Sequence, residues 1–241
     1  MSKLTLTELG QPSENNLRAK LSDLLKADRW VEAQHSTVAP VTNVEVQSLL
    51  KNFPGCVMIV GNGTEFSPDF DPGKDTLILL THELNDNCEI SPGDQTISVS
   101  CGRSVVNINL LLAESNFIVP ALARFRSGTI GGRLATTPSC SQQGNDDEWM
   151  HYLLGLDVIL PSGELLSMGS RCIKDVAGYD LKHIFTGSRG TVGIIVSAIF
   201  RCKPIESIQW EDPDYHRPNT KKFDPQWKRI LDPLGRMHSG A

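Results

Sequence analysis

Apolar residues fall into short β-branched runs separated by polar, glycine-rich joints, with a few helical periodicities between them. Leu17, Leu21, Leu24 and Leu25 in "NLRAKLSDLL" recur at helical spacing and predict an amphipathic helix packed on the main body. A second helix is predicted after Thr42. Thr42 and Glu45 stand in capping-box relation, Val46, Leu49 and Leu50 form its apolar stripe, and Pro54-Gly55 stops it. "SVVNINLLLAESN" (104–116) predicts a third, with Asn116 suited to the left-handed position after its end. Strands are predicted at "CVMIV" (56–60), "DTLILL" (75–80), "QTISVSC" (95–101), "LLGLDVIL" (153–160) and "GIIVSAIFRC" (193–202). "PSG" at 161–163 reads as a hairpin turn, and "FIVP" as a strand-like piece ended by Pro120. Strands and helices interleave without a strict βαβ repeat, so the expected class is α+β with mixed sheets. From Glu206 to about Phe223 the chain is rich in Asp, Pro and charge and reads as a linker, and "FDPQWKRILDPLGRM" then carries a short helix and a turn.

Composition narrows the function without naming it. The 241 residues carry a formal charge of −5, which argues against nucleic acid or an anionic membrane surface as the main partner. No apolar run is long enough for a transmembrane segment and no secretion signal opens the sequence, so a cytoplasmic protein is expected. Six cysteines (56, 88, 101, 140, 172, 202) show no C-x-x-C pair and no metal-ligand spacing, and read as reduced thiols with no metal site.

Three glycine clusters raise the question of chemistry. Gly61-Asn62-Gly63-Thr64 follows the strand "CVMIV". It is either a hairpin turn or a row of backbone N–H groups able to bind phosphate. It matches neither the P-loop nor the G-x-G-x-x-G pattern. The second cluster, "RFRSGTIGGRLATT" (124–137), holds Gly128, Thr129, Ile130, Gly131 and Gly132 beside Arg124, Arg126 and Arg133. No element claims it. It is either a structural loop under the sheet or a backbone platform against a flat ligand, with Thr129 and nearby N–H groups offering hydrogen bonds. The third, "KDVAGYDLKHIFTGSRGTVGII" (174–195), has Asp180 and Gly187 placed to cap a short helix, then a glycine loop leading to a buried strand. Three such loops, each adjoining a strand, could converge around one extended ligand that carries phosphates.

The order G-N-G-T, then T-I-G-G-x-x-A, then K-D-V-A-G-Y-D-L-x-x-I-F-x-G-S-x-G-T-V-G-I-I resembles the FAD-binding domain of the vanillyl-alcohol oxidase/p-cresol methylhydroxylase superfamily. Its nearest branch is the flavin subunits of glycolate oxidase and related D-lactate dehydrogenases. The resemblance covers roughly residues 38–204, leaving an N-terminal helical segment (1–37) and a linker and tail (205–241) that resembles the branch's ending, where the chain returns to the flavin domain. It implies two α+β subdomains with FAD between them. Gly61, Asn62, Gly63, Thr64 and Glu65 would hold the pyrophosphate. Gly128, Thr129, Ile130, Gly131, Gly132 and Ala135 would lie beside pyrophosphate and isoalloxazine, and backbone groups of Ile194 or Ile195 would touch the flavin.

The departures are informative too. Covalently flavinylated members often carry His in the first loop, where this chain has Thr64-Glu65, so noncovalent FAD is expected. After Ala135 the chain reads "TTPSCSQQGNDDEW" where the family is Asn- and Gly-rich, and Asp175 and Arg189 stand where Asn and Glu are commoner. The family's substrate or cap domain has no counterpart, because only about residues 205–222 separate the flavin domain from the tail. The resemblance therefore implies an FAD-dependent oxidoreductase of the 2-hydroxy-acid type that depends on a partner subunit or self-association. The alternative is a noncatalytic flavin-binding or scaffold subunit. No catalytic base can be named; His183 reads as a partly packed structural histidine, and His151 is the least implausible candidate.

Overall fold

The computed structural model describes residues 30–31, 36–64, 76–137, 151–171, 181–207 and 225–238. In chain order its elements begin with β1 (Trp30–Val31), β2 (Thr37–Val38), α1 (Asn43–Asn52), β3 (Cys56–Val60), β4 (Thr76–Leu80), β5 (Cys88–Ser91) and β6 (Thr96–Ser100). Next come α2 (Val105–Glu114), β7 (Phe117–Ile118), α3 (Pro120–Ala123), α4 (Ile130–Thr136), β8 (Leu153–Ile159) and β9 (Leu165–Gly169). The last are α5 (Lys182–Phe185), β10 (Ile194–Arg201), β11 (Lys203–Pro204), a 3-10 turn at Ile205–Ser207, α6 (Pro225–Leu231) and β12 (Met237–His238). The expected helix at 17–25 and most of the 206–223 linker lie outside the described residues.

Two sheets organise the molecule, and together with the helices they make the α+β class that the sequence implied. The first has the order β1-β2-β4-β3-β12, and β2, β4, β3 and β12 run parallel. Helix α1 buries Val46, Leu49 and Leu50 with Val57, Leu77 and Leu79 of this sheet. It starts as its sequence dictates, with the Glu45 N–H donating to Thr42 Oγ1 at 3.2 Å. The reciprocal bond goes one residue further back, since Val41 N–H donates to Glu45 Oε2 at 2.8 Å. The second sheet, β5-β6-β10-β8-β9, is antiparallel throughout. Ile97, Val99, Leu156, Val158, Ala198 and Phe200 pack there against Ile108 and Leu112 of α2 and Ile130 and Leu134 of α4.

Strand β10 serves both cores, and a bulge resets which of its residues face each one. Ile194 and Val196 belong to the first core, whereas Ile195, Ala198 and Phe200 belong to the second. Alternation alone would set Ile195 and Ala198 on opposite faces. The pairing with β8 skips from Ile195 to Ser197, and the extra residue reverses the parity. Val196, left out of that ladder, accepts a bond from Cys101 N–H at 2.9 Å.

Phe117–Ile118 of "FIVP" form β7 as expected, and Pro120 then opens the first turn of α3, where its missing N–H costs nothing. One segment differs from its sequence reading. The T-I-G-G segment is not a loop but the start of α4, with Thr129 as N-cap. Two consecutive glycines weigh against a helix by intrinsic propensity, and the tertiary contacts of the next section override that preference.

Candidate functional site

The first glycine cluster leaves the end of β3 in the middle of the parallel sheet. Val60 carries the last strand carbonyl, which is closed by Thr81, whose N–H and Oγ1 donate to it at 2.8 and 3.3 Å. Beyond it Asn62, Gly63 and Thr64 are exposed, and among the described residues nothing engages the N–H groups of Gly61 to Thr64. Gly63 has φ +69°, the left-handed region, and a Cβ there would find no atom within 4 Å. Gly61 is glycine for a different reason, since a Cβ would stand 2.4 Å from Thr129 Oγ1. Glu65 lies outside the described residues.

That contact joins the second cluster to the first. Thr129 is buried, and its Oγ1 accepts from Gly132 N–H at 3.1 Å. Ile130 N–H donates to Arg103 O at 2.9 Å and Gly131 N–H to Cys101 O at 2.8 Å. The amide donors of Ile130, Gly131 and Gly132 are thus held inside the protein, and the segment presents a wall rather than a row of open N–H groups. Gly131 is pressed against Cys101, just past β6, and the start of the central strand β10. A Cβ would lie 3.0 Å from Cys101 Cβ and 3.2 Å from Ile195 O. Arg133 braces its own loop, donating from Nε to Ser127 O at 2.9 Å and from Nη2 to Ser127 Oγ at 3.0 Å. Arg124 and Arg133 both lie over the Phe125 ring, 5.4 and 5.0 Å from its centroid, while Arg126 is exposed.

The third cluster closes over the same region. Gly187 (φ +72°) ends α5, as its sequence position suggested, and its N–H donates to Leu134 O at 2.9 Å. Arg189 N–H donates to Ala135 O at 2.8 Å, so the last carbonyls of α4 hold the loop that follows α5. A Cβ on Gly190 would sit 3.3 Å from Ile59 Cβ, two residues before the Gly61 turn. Ile194 and Ile195 are both buried where β10 begins. Residues 172–180, including Asp180, lie outside the described residues.

The structure therefore brings the three clusters together through named contacts: Gly61 with Thr129, Gly131 with Ile195, Ala135 with Arg189, and Gly190 with Ile59. Among the described residues, the first of them presents exposed N–H groups without a protein acceptor. Unengaged N–H groups at the carboxyl end of a parallel strand form a concavity suited to an anion such as phosphate, and ligands of open parallel sheets bind at those strand ends. The backbone at Gly61–Thr64 fits a phosphate-bearing cofactor on that ground.

Other chemistry is weakly represented. Cys101 borders Gly131, but burial, and secondarily the Asp157 carboxylate, hold its thiol far above the ordinary range, so it is no nucleophile. Burial also pushes Cys202 up to about 12. Among the described residues no three His, Cys, Asp or Glu gather as a metal site. His151 and His183 are exposed, His183 more so than its place in an apolar helix suggested. Sequence reasoning missed Arg103 and Cys101, which act here through backbone carbonyls and so leave no side-chain signature.

Comparison with known proteins points to a family. The profile of the family described as "FAD binding domain" matches residues 35–169. Glycolate oxidase subunit GlcD of Bacillus subtilis is 30% identical over 165 residues, covering 67% of this chain and 32% of that protein. D-2-hydroxyglutarate dehydrogenase of Xanthomonas citri pv. viticola is 29% identical over 180 residues, covering 72% and 38%. D-lactate dehydrogenase of Archaeoglobus fulgidus is 25% identical over 172 residues, covering 69% and 38%. The chain thus spans about a third of the length of these relatives. A solved alkyldihydroxyacetonephosphate synthase shares the fold, with TM-score 0.63 at 18% identity over 83% of this chain and 43% of its own. No helix among the described residues is long and apolar enough to cross a membrane. The matched interval contains the open Gly61–Thr64 turn and the Thr129 wall that abuts it, and this chain belongs to the FAD-binding domain family.

Proposed function

We propose that the chain binds FAD noncovalently and serves as the flavin-binding unit of a 2-hydroxy-acid oxidoreductase that works with a partner subunit or a second copy. The observation that carries this reading is the Gly61–Thr64 backbone, open to an anion and packed against Thr129. In this reading the N–H groups of Gly61, Asn62, Gly63 and Thr64 hold the pyrophosphate, with Glu65 beside them. Gly128 to Gly132 and Ala135 form the wall along the cofactor, and Ile194 and Ile195 limit its reach towards the second sheet. FAD supplies, when bound, an acceptor for hydride from a substrate carbon. The protein's part is to fix its position and exclude water. The noncovalent link is supported by the absence of His from residues 61–65. The substrate class is supported by the names of the relatives, which include a glycolate oxidase subunit and two 2-hydroxy-acid dehydrogenases. A cytoplasmic location is part of the proposal, supported by free Cys56, Cys88, Cys101 and Cys202.

The test has two stages. Acid or heat should release intact FAD from the purified protein into the supernatant. Protein that stays colourless and shows no thermal shift with excess FAD would sink the reading. Anaerobic mixing with glycolate, D-lactate and D-2-hydroxyglutarate should then bleach the flavin rapidly only when co-purifying subunits are present. Rapid, saturable bleaching by the isolated monomer would remove the partner requirement. A bound flavin that no 2-hydroxy acid reduces, with or without those subunits, would leave a noncatalytic flavin-binding role.

A further inference from the structure

The segment after the linker folds back onto both cores. Trp227 and Leu231 pack against the second core, and Met237 is buried in the first, where β12 extends the parallel sheet beside β3. Arg236 ties the segment to the scaffold. Its guanidinium donates to Leu50 O at 2.6 Å, to Phe53 O at the end of α1, and to Pro161 O of the β8–β9 turn at 3.1 Å.

Lys228 does something different. Its Nζ donates to the Asp232 carboxylate, to Met237 O, and to Thr191 O at 2.8 Å. An ammonium has three protons, so all three are directed at protein acceptors, and this is not a solvated surface charge. Two acceptors belong to the tail itself. The third, Thr191 O, lies in the 188–193 loop that carries Gly190 onto Ile59 and opens β10. The Asp232 side chain is 1% exposed and engaged in turn, because its carboxylate also accepts from Arg236 N–H at 2.9 Å and Met237 N–H at 2.8 Å. The tail is therefore braced by its own hydrogen bonds, and Lys228 Nζ joins it to the glycine loop.

We propose that Lys228 is a positioning residue: residues 225–238 act as a strap that presets the Thr191 loop, and with it the third wall of the candidate flavin site. The link to the flavin rests on the reading of the preceding section, but the placement of the loop does not. Thr191 offers a backbone carbonyl, which no substitution at position 191 removes, so the test falls on the donor. Lys228→Met keeps the length and loses the charge. Where the buried Asp232 carboxylate then prevents folding, Lys228→Met combined with Asp232→Asn removes both charges. Arg236→Met weakens the tail without touching Thr191 and controls for loss of stability.

Amide hydrogen exchange of residues 188–195 in the FAD-free protein should quicken by about tenfold in the Lys228 variants, as expected for losing one charge-assisted bond to that loop. It should change little in Arg236→Met at matched melting temperature. The Kd for FAD, read by quenching of flavin fluorescence, should rise several-fold in the Lys228 variants, and Lys228→Arg should restore part of it. Unchanged loop exchange in the Lys228 variants, or an equal effect of Arg236→Met, overturns the proposal. If the unaltered chain takes up no FAD, the flavin reading falls on its own, and exchange alone decides whether the strap exists.

Discussion

Gly63 and Gly131 are glycines for opposite reasons, so the same replacement should fail in two distinguishable ways. At Gly63 the space is free and the backbone is left-handed. Gly63→Val should cost about 1–2 kcal/mol of strain or move the turn, leaving a folded protein whose affinity for FAD falls. At Gly131 the backbone is unstrained but the space is filled by Cys101 and by the Ile195 carbonyl. Gly131→Val should lower the denaturant midpoint by the equivalent of about 1–3 kcal/mol, the usual cost of overpacking. Urea unfolding alongside FAD titration separates the two outcomes. The cysteines divide by the same logic. Cys56 is exposed and should react with a thiol reagent in the native protein, whereas buried Cys101 and Cys202 should react only on unfolding. Because burial raises Cys202 from 9.0 to about 12, its contribution to stability is complete below pH 9.0 and is lost between there and about pH 12. Urea midpoints measured between pH 8 and pH 10.5 should fall with pH, and by less in Cys202→Ala.

At the scale of elements, α1 was readable because its cap, stripe and stop are all local. Thr42→Ala should therefore cost about 1 kcal/mol, the ordinary value of an N-cap, seen as a lower urea midpoint. The strands at 56–60, 153–160 and 193–202 were readable for a similar reason: runs of Val, Ile and Leu bounded by Gly and Pro suit a buried pleated surface. Helix α4 was not. Its glycines speak against a helix, and what makes it one is Thr129 on Gly132 together with bonds to Arg103 and Cys101, residues nearly thirty positions upstream. The bulge at Val196 was hidden for the same kind of reason. Nothing in "IIVSAIF" announces it, and only the partner strand β8 shows the skipped residue.

At the scale of the whole molecule, two cores meet along β10 and are bridged again by the tail, while the candidate cofactor site lies where the glycine clusters touch. A ligand bound at such a junction stabilises both halves together. FAD at about a hundred times its Kd should add about 2.7 kcal/mol and raise the melting temperature as one cooperative transition, which differential scanning calorimetry would show. Two separate transitions with FAD moving only one would place the ligand on a single half. The sequence by itself determined the α+β class, the central strands, α1 and α2, and the three glycine clusters with their family resemblance. All of these are written in short-range patterns, whether two- or 3.6-residue periods, caps, turns or contiguous motifs. Only the tertiary structure decided which glycine amides remain open, that T-I-G-G is a helix start, that β10 changes faces, and that Lys228 reaches Thr191. Each of these depends on a backbone carbonyl or a neighbouring atom far away in the chain, and a carbonyl is the one chemical group that every residue carries alike.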